Sequence, residues 1–127
     1  MRILRLAEAG APGIWTAVRT GAAVTRSQPG AVVAPLKGGI AALAVGAPVV
    51  SYASEALAEP VSALERLQAR RSRLIFAGSR QDAVAIALRL GLGPTRFRIT
   101  PGGAPDDDLV ARELGAWEAR RRKWHSA

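Results

Sequence analysis

The chain has no cysteine, one histidine (His125), one methionine and two lysines among its 127 residues. Without thiols there is no disulfide framework, no thiolate zinc finger and no cysteine nucleophile. With one histidine, two residues from the last position shown, a Ser-His-carboxylate triad has no base on which to build. Aromatic residues are few: three Trp, two Phe and one Tyr. The longest run free of charge, Gly38 to Ser54, is seventeen residues, which touches the lower limit for a membrane span. Gly46, Pro48 and the β-branched Pro48-Val49-Val50 segment favour a short helix followed by a strand there instead.

Positive charge is abundant. Eighteen Lys and Arg stand against ten Asp and Glu, a net +8. The surplus is uneven, +2 over residues 1–64 and +6 over residues 65–127, so the second half suits an anionic partner or a well-solvated surface. Arginine outnumbers lysine sixteen to two and alanine is abundant. That bias fits a GC-rich coding sequence and weakens any inference that arginine was selected for phosphate forks. At this length the chain forms one domain, 1–127, with a core able to hold it together unaided by metal or disulfide.

The clearest unit lies at Arg73 to Ile99. Leu74-Ile75-Phe76-Ala77 is an unbroken apolar run of the kind found in strands covered on both faces. Gly78 turns the chain, Ser79 is placed to cap a helix from Arg80, Asp82 completes a capping-box pattern, and Gly91 stops the helix. Alanines interleaved with Val84, Ile86, Leu88 and Leu90 predict a helix with little of its surface wet. Arg96-Phe97-Arg98-Ile99 then alternates as a strand near a sheet edge does.

Similar alternation runs through the rest. Met1 to Leu6 suits a strand, and Ala11 to Val24 a helix turned inward by Ile14, Trp15, Val18 and Ala22. Two readings of residues 1–28 stand: part of the domain, or a peripheral Arg-rich targeting segment. Ala31 to Ala34 suits a buried strand, Ile40 to Val45 a small-residue helix, and Pro48 to Tyr52 a further strand. Ser54 is placed to cap a helix from Glu55 to Arg71, with Leu57, Val61, Leu64 and Leu67 inward and Pro60 interrupting it. Asp106-Asp107-Asp108 opens a last helix, with Leu109, Val110, Leu114 and Trp117 inward and Arg120-Arg121-Arg122-Lys123 where cations suit the helix dipole. Residues 118–127 form a basic C-terminal tail. Strands separated by helices predict a single-domain α/β fold, a mainly parallel sheet with helices on both faces, as in Rossmann-like or flavodoxin-like three-layer sandwiches.

Two clusters carry candidate chemistry. Lys37-Gly38-Gly39, after one strand and before a helix, and Gly78-Ser79-Arg80, after another, could together hold a phosphate or other anion at the carboxyl edge of the sheet. Lys37-Gly38-Gly39 matches neither a Walker loop nor a dinucleotide fingerprint, and a tight turn and a simple helix cap account for the same residues. Arg96, Arg98, Arg120, Arg121, Arg122, Lys123 and Trp124 mix cations with an aromatic ring, as nucleic-acid surfaces do; a solvated helix end is the plain alternative. Consecutive aspartates in one helical turn point apart, so Asp106 to Asp108 form no metal site. No cofactor is expected.

Residues 73–99, a strand ending in Gly78-Ser79-Arg80, an alanine-rich helix, Leu90-Gly91-Leu92 and an aromatic-bearing strand, resemble a small α/β unit of short actinobacterial phage proteins. Val33 to Val50, with Lys37-Gly38-Gly39 and Ala44-Val45-Gly46-Ala47-Pro48-Val49-Val50, is similar to the nucleotide-sugar half of GT-B glycosyltransferases. The acidic residue of that pattern is absent and the segment order is reversed, so no donor-binding role is carried over.

Together these features favour a non-catalytic basic binding or assembly module. Its partner would be nucleic acid or an acidic protein, as a homo-oligomer or in a larger assembly. It would be cytoplasmic, or part of a virion or organellar complex, since no signal peptide is evident. Two alternatives remain: an enzyme or sensor binding a phosphorylated small molecule or nucleotide, and a small subunit of a membrane-associated complex.

Overall fold

A computed structural model of the chain describes residues 1–7, 13–55, 57 and 60–126, the last three through their backbone alone. Among these residues five strands form one sheet: β1 (Ile3–Arg5), β2 (Ala31–Pro35), β3 (Val49–Ala53), β4 (Ser72–Ala77) and β5 (Phe97–Ile99). Every neighbouring pair is parallel. Four helices accompany them: α1 (Ile14–Ser27), α2 (Ala63–Arg71), α3 (Arg80–Leu90) and α4 (Asp107–Ser126). The expected parallel α/β architecture with helices on both faces is what the chain adopts.

The strands lie in sequence order, β1-β2-β3-β4-β5. Each crossover therefore steps the same way, and right-handed connections that all step one way fall on one face of the sheet. The core agrees. Val32, Ala34 and Val49 pack with Val24 of α1 and with Ile40, Ala41 and Ala44. On the same face, Ala53 and Ile75 pack with Ala69 of α2 and with Ile86 and Leu90 of α3. The opposite face, carrying Val33, Val50, Leu74 and Phe76, is covered by Val110 and Leu114 of α4. Among the described residues one helix thus closes a face by itself. The order contains no reversal, so the sheet has no switch-point crevice of the kind in which doubly wound folds hold ligands.

Local signals set α3 closely. Ser79 Oγ accepts from the Asp82 N–H at 3.1 Å, and Gly91 ends the helix at φ 65°. The helix is wetter than expected, however. It buries Ala83, Ile86 and Leu90, while Val84 and Leu88 are exposed, because only one side meets the sheet.

Three further expectations are corrected. Residues 40–43 form turns rather than a helix, tied by i→i−3 bonds from Ala42 to Gly39 and from Ala44 to Ala41. The helix from Glu55 does not form as a unit: α2 starts at Ala63, with Ser62 and Glu65 making a reciprocal capping box. Ala56, Ala58 and Glu59, inside the expected helix, lie outside the described residues, as does its neighbour's expected start at Ala11. Finally, α1 turns its small face inward, burying Ala17, Gly21 and Val24 and leaving Ile14, Trp15 and Val18 exposed. A Cβ on Gly21 would stand 2.5 Å from the Leu43 carbonyl oxygen, so this helix docks by close backbone approach.

Residues 1–28, weighed above as a possible targeting segment, supply β1 and α1 to the sheet and core. Among the described residues no helix is long and apolar enough to cross a membrane. The uncharged run from Gly38 to Ser54 is a turn followed by β3.

Candidate functional site

The two candidate clusters lie at opposite ends of the sheet. Gly38 and Gly39 follow β2 and Gly78 and Ser79 follow β4, so both mark the carboxyl rim. Arg96 immediately precedes β5, and Arg73, near the start of β4, pairs with Glu118, just past the middle of α4, at 3.3 Å. Arg96 and the run from Arg120, which follows Glu118 along α4, therefore lie toward the amino edge, whereas Arg98 sits within β5.

At the carboxyl rim, backbone donors already have protein partners. Gly38 and Gly39 take positive φ, 87° and 68°, a conformation that exposes N–H groups in a concave turn. The Gly38 N–H donates to Glu65 Oε2 at 3.0 Å, and the Gly39 N–H to the Leu36 carbonyl at 3.1 Å. The anion in this turn is the chain's own carboxylate, held by α2. A Cβ on Gly39 would come within 2.4 Å of the Leu64 backbone carbon, which shows how tightly the turn and α2 are pressed together. Lys37 is exposed at the side of the turn.

A buried polar network extends beneath Glu65, and sequence reasoning missed it. Gln68 Oε1 accepts from the Ala41 N–H at 2.9 Å. Its Nε2 donates to the Pro35 carbonyl at 3.0 Å and to Ser51 Oγ at 2.9 Å. Ser51 and Ser72 share a 2.6 Å hydroxyl contact, and Ser72 Oγ donates to the Gln68 carbonyl at 2.7 Å. No buried side-chain polar atom among the described residues lacks a partner. The network is a fastening for turn 36–44, with no polar group left over for a ligand.

The other half of the rim is covered. After β5 the chain crosses above the strand ends: the Thr100 N–H donates to the Ala77 carbonyl at 2.9 Å. Gly103, at φ 81°, approaches so closely that a Cβ would be 2.8 Å from the Ala53 oxygen. Arg5 then donates to the Pro105 carbonyl and pairs with Asp107, which starts α4 beside β1. Gly78 is enclosed, since a Cβ there would meet the Ser54 oxygen at 3.3 Å and the Gly103 nitrogen at 3.6 Å. Ser79 serves as the α3 cap, and Arg80 is exposed.

The amino edge is different in character. Between Val49 and Val50 the β3–β4 register shifts, pairing Val49 with Ser72 but Val50 with Leu74. The extra residue is Arg73, and such a shift re-aims a side chain. Its guanidinium lies 5.0 Å from the centre of the Trp117 ring. Arg121 lies over the same ring at 5.3 Å. Trp117 is thus a platform for two cations rather than an open stacking surface.

Arg96 Nη1 donates to the carbonyls of Arg70, at 2.9 Å, and of Ala69, at 3.3 Å, closing the C-terminal end of α2. Arg98 pairs with Glu113 at 3.0 Å and donates to the Thr95 and Phe97 carbonyls. Nη1 of Arg96 and Nε and Nη1 of Arg98 are engaged in the fold, although their charge still adds to the local field. Arg70, Arg120, Arg121, Arg122 and Lys123 are exposed. The side chains of Trp124 and His125 lie outside the described residues. Arg70 and Arg73 join the cluster only through the fold, because their positions at a helix end and a register shift leave no pattern in the sequence.

Asp106 caps α4, its Oδ1 accepting from the Leu109 N–H at 2.8 Å, and Asp107 pairs with Arg5 at 2.7 Å. Among the described residues no group of three or more His, Asp or Glu could hold a metal ion. Compared with protein-family models, curated proteins and solved structures, the chain matches none.

Proposed function

We propose that the protein is a non-catalytic association module that binds nucleic acid through the amino edge of its sheet. The observation carrying this reading is the meeting of Arg73 and Arg121 over Trp117, with Arg96, from a third stretch of chain, bonded to the Arg70 and Ser72 carbonyls at the start of β4. Next to them, Arg120, Arg122 and Lys123 extend the charge along α4. Against this stand Glu113 and Glu118, each already paired. A surplus of arginine on one edge suits the closely spaced charges of a phosphate backbone, with no demand for base-specific contacts.

The carboxyl rim lends no comparable support to a small-molecule activity. Its turn holds Glu65, and the loop from Thr100 to Pro105 lies over the strand ends.

Fluorescence anisotropy with labelled single-stranded and duplex oligonucleotides, titrated across KCl concentration, tests the reading. Log affinity should fall linearly with log salt, with a slope of about −0.7 to −0.9 per phosphate contacted. The double variant R120A/R121A should weaken binding to all sequences alike and flatten the slope by about one per arginine removed. Affinity insensitive to both salt and the double variant would overturn it.

A further inference from the structure

The amino-edge arginines leave another surface unaccounted for, on the opposite flank of the sheet. Helix α1 exposes Trp15 at 72 %, Ile14 at 53 % and Val18 at 40 %. At 100° per residue, Ile14, Val18, Ala22 and Trp15 fall in a single sector about 100° wide, with Arg19 and Arg26 along one border. The inward sector holds Ala17, Gly21 and Val24. The helix sequence IWTAVRTGAAVTRS contains no acidic residue.

This division is physically unusual: a helix packed on a sheet normally turns its largest apolar side chains inward. Here close packing of Gly21 against Leu43 fixes the opposite orientation. A tryptophan and two β-branched residues are held in water by a well-anchored helix.

We infer that α1 docks the protein on the surface of an anionic lipid bilayer. The apolar sector would enter the boundary between headgroups and acyl chains, where tryptophan is favoured, and Arg19 and Arg26 would reach to lipid phosphates. Charge complementarity selects this occupant. Phosphate backbones offer no counterpart to Ile14 and Val18. A second copy of the chain would bring the rows of Arg19 and Arg26 toward one another, and three side chains fall short of the ~800 Å² per partner that a stable dimer buries. The helix would lie on the bilayer without crossing it, in keeping with the lack of a spanning helix among the described residues.

The test is flotation of the full chain with vesicles of phosphatidylcholine alone and of phosphatidylcholine with phosphatidylglycerol at three to one. Binding should require the anionic lipid. The exposed-site variant W15S/V18S, with its fold checked by circular dichroism, should lose at least tenfold in partition coefficient, whereas R120A/R121A should lose less than threefold. Brominated lipid should quench the wild type and quench Trp15→Phe much less. Failure to float with anionic vesicles would overturn the inference. So would equal binding by W15S/V18S, which would mean plain electrostatic adsorption, or a concentration-dependent dimer abolished by W15S/V18S, which would make a second copy the occupant.

Discussion

Gln68 fastens three parts of the chain with one amide: the 36–44 turn through Ala41, the end of β2 through Pro35, and β3 through Ser51. Replacing it by methionine preserves volume but strands a buried N–H and a buried carbonyl, each costing about 1–3 kcal/mol. Gln68→Met should therefore lower unfolding free energy by about 3 kcal/mol in urea titration. Gly21 fails differently, through crowding. Gly21→Ala drives a methyl against backbone that has no side-chain freedom to yield, and should cost about 1–3 kcal/mol by the same measurement. Neither role is legible in the sequence. Gln68 falls within the apolar sector of its segment but is polar, so periodicity alone assigns it no partner, and a glycine between Thr20 and Ala22 reads as a weak point rather than a contact. Polar residues that serve the interior announce themselves only when their partners, 17 to 33 positions away, are known.

At the scale of elements, what is encoded locally could be read and what depends on neighbours could not. Helix α3 carries its start and stop within itself, Ser79 and Gly91, and the buried runs of β2 and β4 identify themselves by unbroken apolar character. The 40–44 segment has helical composition but forms turns, because Gly38 and Gly39 take left-handed conformations and Arg71 draws the carbonyls of Ala42 and Ala44 to its guanidinium, at 3.2 and 3.4 Å. The sequence offers Ser54 as the cap of this segment, whereas α2 is capped by Ser62, whose Oγ accepts from the Glu65 N–H. Ser62→Ala should accordingly cost about 1 kcal/mol, while Ser54→Ala should change thermal stability by less than about 0.5 kcal/mol. Equal effects would contradict the observed start of α2. The inward face of α1 was misread for a physical reason: apolar periodicity locates an apolar side but cannot tell a core from a lipid or a partner.

For the whole molecule, alternation of strands and helices was enough to give a parallel α/β fold, whereas strand order was beyond reach. A right-handed crossover can place the next strand on either side of the growing sheet, and no residue in the sequence records the choice. The candidate sites show the same limit. Arg120 to Lys123 stand out as a run, but the meeting of Arg121 with Arg73 over Trp117 required the register shift and the diagonal course of α4. That helix binds the sheet through Val110 and Leu114, with ion pairs to β1, β4 and β5. Leu114→Ala should cost about 2–5 kcal/mol. Truncation after Trp117 removes the half-exposed Arg73–Glu118 ion pair and the Arg121 contact with the Trp117 ring, each worth at most about 1 kcal/mol, and should cost little stability while abolishing most oligonucleotide binding.

Because α4 is, among the described residues, the one helix covering its face and follows all five strands in sequence, synthesis itself passes through a hazardous interval. All five strands leave the ribosome before the segment that shields Val33, Val50, Leu74 and Phe76. Nascent chains should thus expose a broad oily surface until the final turns emerge. A chaperone that recognises such surfaces would hold ribosome-bound chains ending before Asp107 and let go once α4 can reach the sheet.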